Sequence, residues 1–163
     1  MIPTHTLSGN QRRRMKSAAR LYAVQALFQM EAAGQTADTV AREFEAHRFG
    51  EVLDDVAMEE GDPDTFRAIL SHAVNHQAQI DQMTDRALVA AWPLGRIDPT
   101  LRALFRAAGA ELVAKSTPPK VVIVEYVDVA RAFFPTGKEG GLVNAVLDHM
   151  AREARPDGFS APV

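Results

Sequence analysis

Residues 98–137 read DPTLRALFRAAGAELVAKSTPPKVVIVEYVDVARAFFPTG, and the fold is decided there. Asp98-Pro99 is a helix start: the carboxylate accepts from first-turn N–H groups, and proline loses nothing at a position whose N–H has no partner within the helix. Leu101, Leu104, Phe105, Ala108 and Leu112 follow at i, i+3, i+4, i+7 and i+11, one unbroken helical face. Residues 107–110 are all small, so a neighbouring helix can approach closely. Pro118-Pro119 stops this helix and opens another. The run Val121 to Val124 favours strand by propensity. Val122, Tyr126, Val129 and Phe133 nevertheless keep helical spacing for three turns, and the spacing predicts a helix closed by Pro135 and Gly137.

The same signals extend in both directions. Asp62-Pro63 repeats the cap-plus-proline start, with Phe66, Ile69, Leu70, Ala73 and Val74 on one face. Ile80, Met83, Ala87 and Leu88 continue the pattern to Trp92-Pro93, with a bend expected near Asn75, where the face shifts. Earlier, a helix from about Asn10 carries Ala19, Tyr22, Ala23, Ala26, Leu27 and Met30 to a stop at Gly34. Val40 and Phe44 mark another over about Thr36 to Arg48. A last helix runs from about Glu139 to Ala154, with Leu142, Val146, Leu147 and Met150 inward. The reading is all-α: six to seven helices in two packed halves, with no strand assigned. It gives a single domain over residues 10–155, divided near 92–98, between disordered tails at 1–9 and 156–163.

The chain has 163 residues, 47% of them hydrophobic and 24% charged, enough for a sizeable core without disulfides or metal. It has no cysteine, which excludes a disulfide scaffold, a thiol nucleophile and a cysteine-based metal centre. No apolar run approaches membrane-spanning length and no apolar signal core follows the N-terminal arginines, so a cytoplasmic protein without membrane association is expected. The net charge of −3 hides an asymmetry. Five of the 18 basic residues (Arg12, Arg13, Arg14, Lys16 and Arg20) precede Glu31, and no acidic residue does. The remainder carries 13 basic against 21 acidic residues, a net −8. The basic residues fall in the first turns of a helix, where cations oppose the helix dipole and repel one another, so helix stability does not account for them. A polyanion does. The segment from Glu51 to Asp64 is the opposite extreme, with seven acidic residues and no basic one. It reads as a solvated loop or short helix, or as an acidic arm competing with RNA for the basic end.

Catalytic and metal patterns are weak. His72 and His76 stand at i and i+4, but Ala73 replaces the glutamate of a metalloprotease helix and no third ligand is near in sequence. Thr136-Gly137-Lys138 fails the phosphate-loop pattern, because Ala132 replaces its first glycine and Glu139 its Ser or Thr. No enzyme, metal or cofactor is expected.

Three segments together resemble the NusB family of transcription antitermination factors. Lys16 to Phe28 contains Arg20 and the run Ala23-Val24-Gln25-Ala26-Leu27 before an aromatic. Arg102, Leu104, Arg106, Ala108, Glu111 and Leu112 keep the family's spacing. Pro118 to Asp148 holds Pro-Pro, Glu125, Val127, Ala130-Arg131 and Phe133, and ends in Leu142-Val143-Asn144-Ala145-Val146-Leu147-Asp148. The resemblance covers about residues 12–152. It implies a non-enzymatic role: binding a short single-stranded element of nascent ribosomal RNA together with NusE, a small-subunit ribosomal protein, in a complex with other Nus factors on RNA polymerase. It further implies RNA contacts at Lys16, Arg20 and Phe28, at the helix start bearing Arg102, in the loop before Leu142 that carries Lys138, and at Asn144. Arg12, Arg13 and Arg14 join them on charge.

The chain departs from the family at Ser17-Ala18 in the arginine cluster, at Leu101, at Val124, and at Ala110 and Leu142, where relatives often have aromatics. Loss of two stacking groups weighs on RNA affinity more than on the fold. Structural roles stand beside the functional ones: Phe28 in the core, Glu111 paired with Lys115, Asn144 as a cap or cross-link, and Arg106 in an ion pair. Two other readings stay open. One is a helical interaction scaffold without RNA binding. The other is a NusB-like module of ribosomal RNA cytosine methyltransferases, disfavoured by an end at Val163 with no cofactor-binding domain.

Overall fold

The computed structural model describes residues 7–53, 55–91 and 97–159, and the bounds and absences given below refer to these. Helix α1 spans Gly9–Ala33. Ser8 opens it with a capping box: its hydroxyl accepts from the Gln11 N–H at 3.1 Å and its own N–H donates to Gln11 Oε1 at 2.8 Å. Gly34, at φ 68°, closes it by donating to the Met30 carbonyl. Residues 7–9 thus belong to the cap and first turn rather than to a tail, and residues 1–6 lie outside the description.

Helix α2 spans Ala37–Glu43 and runs into a π-helical turn at Phe44–Arg48. The wider turn brings Phe44 and Phe49, five residues apart, to the same neighbours. Phe66 lies 5.7 Å from Phe44 and 5.0 Å from Phe49 between ring centroids, and Tyr22 lies 6.4 and 4.8 Å from them. The chain then forms a hairpin that the sequence reading lacked. Strands β1 (Val52–Leu53) and β2 (Val56–Ala57) pair antiparallel, with Asp55 at φ 65° in the turn.

Helix α3 (Pro63–Asn75) starts at the Asp62 cap. Its axis breaks at His76, where the bend was expected, and α4 (Gln77–Ala91) begins at once. Trp92 and Pro93, read as the stop, lie outside the described residues, as does most of the expected 92–98 division. Helices α5 (Pro99–Ala114), α6 (Pro119–Phe133) and α7 (Glu139–Ala154) complete the set. The valine-rich segment is indeed helical: Val122, Tyr126 and Val129 are buried against the body.

Helices α1, α2 and α3 pack as one half and α4, α6 and α7 as the other, with α5 touching both. Ten residues of α5 are buried. Gly109 explains how α4 reaches it: a Cβ there would stand 2.5 Å from Ile80 Cγ2. One apolar cluster runs through both halves. In α7 it is Val143, with Val146, Leu147 and Met150, that is fully buried, whereas Leu142 is only half-buried. Of the tail expected at 156–163, residues 160–163 lie outside the description. Pro156–Phe159 form a 3₁₀ turn, Phe159 packs on the core, and the Arg152 guanidinium stacks 4.4 Å from its ring.

Candidate nucleic-acid interface

The first two turns of α1 present Arg12, Arg13, Arg14 and Lys16 to solvent. No hydrogen bond or ion pair among the described residues engages the side chains of Arg13, Arg14 or Lys16. Elsewhere on the surface Arg42, Arg67, Arg86 and Arg152 each reach a carboxylate. Acidic groups line the same hollows as these cations. Asp62 and Asp64 share with Lys16 a cavity of about 450 Å³. Glu59, Glu125 and Asp128 share another, of about 440 Å³, with Arg13 and Arg14.

Arg20 is a correction. It was expected to contact RNA, yet it is only 5% exposed. Its Nε and Nη2 donate to the two Glu111 oxygens at 2.9 and 3.1 Å, and its Nη1 lies 3.2 Å from Glu125. Burial alone would lower its pKa; the bond and charge of Glu111 outweigh that and hold it above the ordinary guanidinium value. Ser17 donates to Glu125 and Thr117 to Glu111, so both carboxylates are held from two sides. Glu111 therefore pairs across helices with Arg20 rather than along α5 with Lys115, which sits in the left-handed region at φ 61° as the C-cap. Tyr126 is buried beside this network, and burial, reinforced by Glu111, raises its pKa well above the ordinary value. Arg106 takes the structural role weighed for it, with Asp81 at 3.0 Å and Glu31 at 3.1 Å.

Phe28 is 40% exposed, so it is not a core residue. It opens a groove of about 400 Å³ with Gln25, Gln29, Thr100, Phe133 and Arg48, whose guanidinium lies 5.0 Å over the Phe44 ring. Arg48, Gln25, Gln29 and Phe133 were not singled out as site residues. The signal was present for two of them, since Gln25 and Gln29 form one polar-edged stripe with Phe28 at helical spacing. Thr100 and Phe133 bring the start of α5 and the end of α6 to this groove. Arg102 follows half-buried, and Lys138 stands exposed in the turn before α7, neither side chain with a bonded partner among the described residues. Asn144 is exposed with no hydrogen bond, so it neither caps nor cross-links, and no contact ties it to the groove. Arg12 and Phe28 are 16 residues apart on one helix, about 24 Å at 1.5 Å per residue. His72 and His76 stack with ring centroids 5.9 Å apart, and no group of three metal-binding side chains occurs among the described residues. No described helix is long and apolar enough to cross a membrane.

A family model described as the NusB family matches residues 17–152. The chain belongs to the NusB family. It is 46% identical over 149 residues to the transcription antitermination protein NusB of Maricaulis maris, covering 91% of this chain and 92% of that one. NusB of Brucella abortus (strain S19) is also 46% identical, over 90% of this chain and 85% of its own length. Among solved structures, a T. maritima NusB superposes with a TM-score of 0.66 at 26% identity, covering 88% of this chain and 96% of that one. A structure of antitermination factors NusB and NusE in complex with dsRNA gives a TM-score of 0.66 at 24% identity, over 86% and 98% of the two chains. The fold is that of NusB.

Proposed function

We propose that this NusB-family protein is a non-enzymatic cytoplasmic antitermination factor that binds RNA along the exposed start of α1, together with a NusE-type ribosomal protein. The observation that carries the reading is the trio Arg13, Arg14 and Lys16, exposed and unpaired on helical turns whose dipole disfavours cations. Such groups are kept for a phosphate ligand rather than for the fold. Arg12 extends the trio. The Phe28 groove, with Arg48, offers a second stretch about two dozen ångströms along α1, where an aromatic face could take a base; Arg102 and Lys138 stay candidate contacts. Arg20 has no part in direct contact; it holds α1 against α5 and α6 so that the basic turns project. Asn144 stays a candidate contact on its exposure. The RNA is a single-stranded element of nascent ribosomal transcripts, and the assembled complex joins other Nus factors on RNA polymerase.

A second reading, a helical scaffold without RNA binding, is favoured by the carboxylates on both sides of the trio. Titration of single-stranded and double-stranded ribosomal leader RNA, with and without the NusE-type protein of the same organism, separates the two. Saturable binding that prefers the single strand and tightens with the partner is expected. Partner binding with no RNA binding in any arm would establish the scaffold.

A further inference from the structure

The cavity of about 450 Å³ beside Lys16 has no role in the reading above, and its volume is that of a small-molecule site. Three elements build it. Helix α1 supplies Lys16, the start of α3 supplies Asp62 and Asp64, and α5 with the turn after it supplies Ala110, Ala114 and Ser116. The start of α3 is tied to α1, because the Asp62 N–H donates to the Met15 carbonyl at 3.0 Å. Part of the polar lining is already engaged. Arg20 and Glu111 are buried and bonded to each other, and Asp62 accepts from the Thr65 N–H as the cap of α3. Lys16, Asp64 and Ser116 remain, exposed and with no bonded side-chain partner among the described residues. Ile69 and Ala110, both buried, add apolar wall together with Ala68 and Ala114. An unbonded ammonium, an unbonded carboxylate and a hydroxyl thus share one hollow with apolar walls.

We propose that this hollow binds a guanine base, supplied by RNA or by a free guanine nucleotide; the RNA source rests on the function proposed above. The charge of the lining disfavours a bare phosphate. Arg20 and Glu111 neutralise each other, and Asp62 and Asp64 outweigh Lys16. Carboxylates call for a ligand that presents N–H donors, and Lys16 calls for acceptors on the same ligand. A guanidinium meets the first demand and is repelled by Lys16. Among the common bases only guanine carries two adjacent donors, N1–H and the N2 amino group, which match the two oxygens of one carboxylate. Its O6 and N7 are the acceptors that a lysine takes. Adenine and cytosine set a ring-nitrogen acceptor beside their amino group, and uracil sets a carbonyl on each side of its N3–H. A carboxylate repels those acceptors. Asp64 therefore takes the N1 and N2 edge, while Lys16 and the Ser116 hydroxyl take O6. The apolar walls cover the ring faces, as in pockets that read an unstacked base.

The test has two arms, both with the full chain. Calorimetric titration with GMP, IMP, AMP and UMP reads a free nucleotide. Titration of the chain–partner complex with an oligouridine carrying one guanine, or one inosine at the same place, reads RNA. Inosine lacks only the N2 amino group, so the guanine-to-inosine affinity ratio reports the Asp64 contact. One hydrogen bond to a charged group predicts a ratio of about ten or more in at least one arm. Asp64→Asn is expected to bring that ratio close to one with melting unchanged. Ala68→Trp, at an exposed position of the wall, is expected to weaken guanine binding in the same arm. Preference for GMP alone assigns the site to a free nucleotide, and preference in the RNA arm alone assigns it to a transcript base. Equal guanine and inosine affinities in both arms overturn the inference, and RNA binding that persists then leaves the proposed function standing. A guanine preference kept in Asp64→Asn or in Ala68→Trp also overturns it. Preference for GMP with no RNA binding removes the proposed function and keeps this site.

Discussion

Lys16 and Arg20 are one helical turn apart on α1, yet only Lys16 is available to a ligand. At Arg20 helices α5 and α6 have closed over α1, and a guanidinium there is tolerable only because Glu111 and Glu125 receive it. Removing one partner strands the other. Arg20→Ala or Glu111→Ala is expected to cost about 3–5 kcal/mol of stability in urea denaturation, and R20M/E111L to recover most of it. Tyr126 makes a pH prediction. Its folded pKa is raised, so the folded state holds the phenolic proton beyond the unfolded value of 10.0. The resulting stability is complete below pH 10 and is lost as pH rises from there through the folded pKa. Tyr22 shifts the same way, from burial first. Tyr126→Phe removes the phenol and should flatten the alkaline loss. A steep alkaline loss retained in Tyr126→Phe would place its origin elsewhere.

At the scale of elements, the α4–α5 contact depends on Gly109. Gly109→Val drives a branched side chain into Ile80, itself stiff at χ1, and is expected to lower stability by about 1–3 kcal/mol, read as a fall in melting temperature. Helix positions were legible because caps and apolar faces agreed: Asp62-Pro63 and Asp98-Pro99 begin α3 and α5 as read. The four β-branched residues at 121–124 could mislead, and the face through Tyr126 and Val129 outweighed them because burial decides between helix and strand when propensity conflicts. The hairpin was missed for a physical reason. Its seven-carboxylate neighbourhood masks a Val-Leu and a Val-Ala pair around Asp54-Asp55, a turn dipeptide able to take positive φ, as Asp55 does. The π turn left no signal in periodicity, because five-residue spacing of Phe44 and Phe49 looks like a helix end.

For the whole molecule, the charge asymmetry read from the sequence is borne out as geometry: a basic helix start stands exposed against an acidic body. The sequence could not tell which cations in that cluster are free. Arg20 has the same charge and helix as Lys16, and only the approach of Glu111, 91 residues away, distinguishes them. With the acidic body repelling phosphate elsewhere, RNA affinity of the isolated chain should be weak. A basic partner bound beside α1 should raise it by about 10²–10⁴ through linkage of two weak sites. The central claim, that Arg13, Arg14 and Lys16 neutralise RNA phosphates, is tested most directly by the salt dependence of affinity. Binding of a single-stranded leader RNA to the chain–partner complex is measured over a range of salt, for wild type and for R13A/R14A/K16A. Three phosphate contacts at about −0.7 each predict that the log–log slope of the variant is shallower by about 2. Equal slopes for the two proteins, with melting unchanged, would contradict the account.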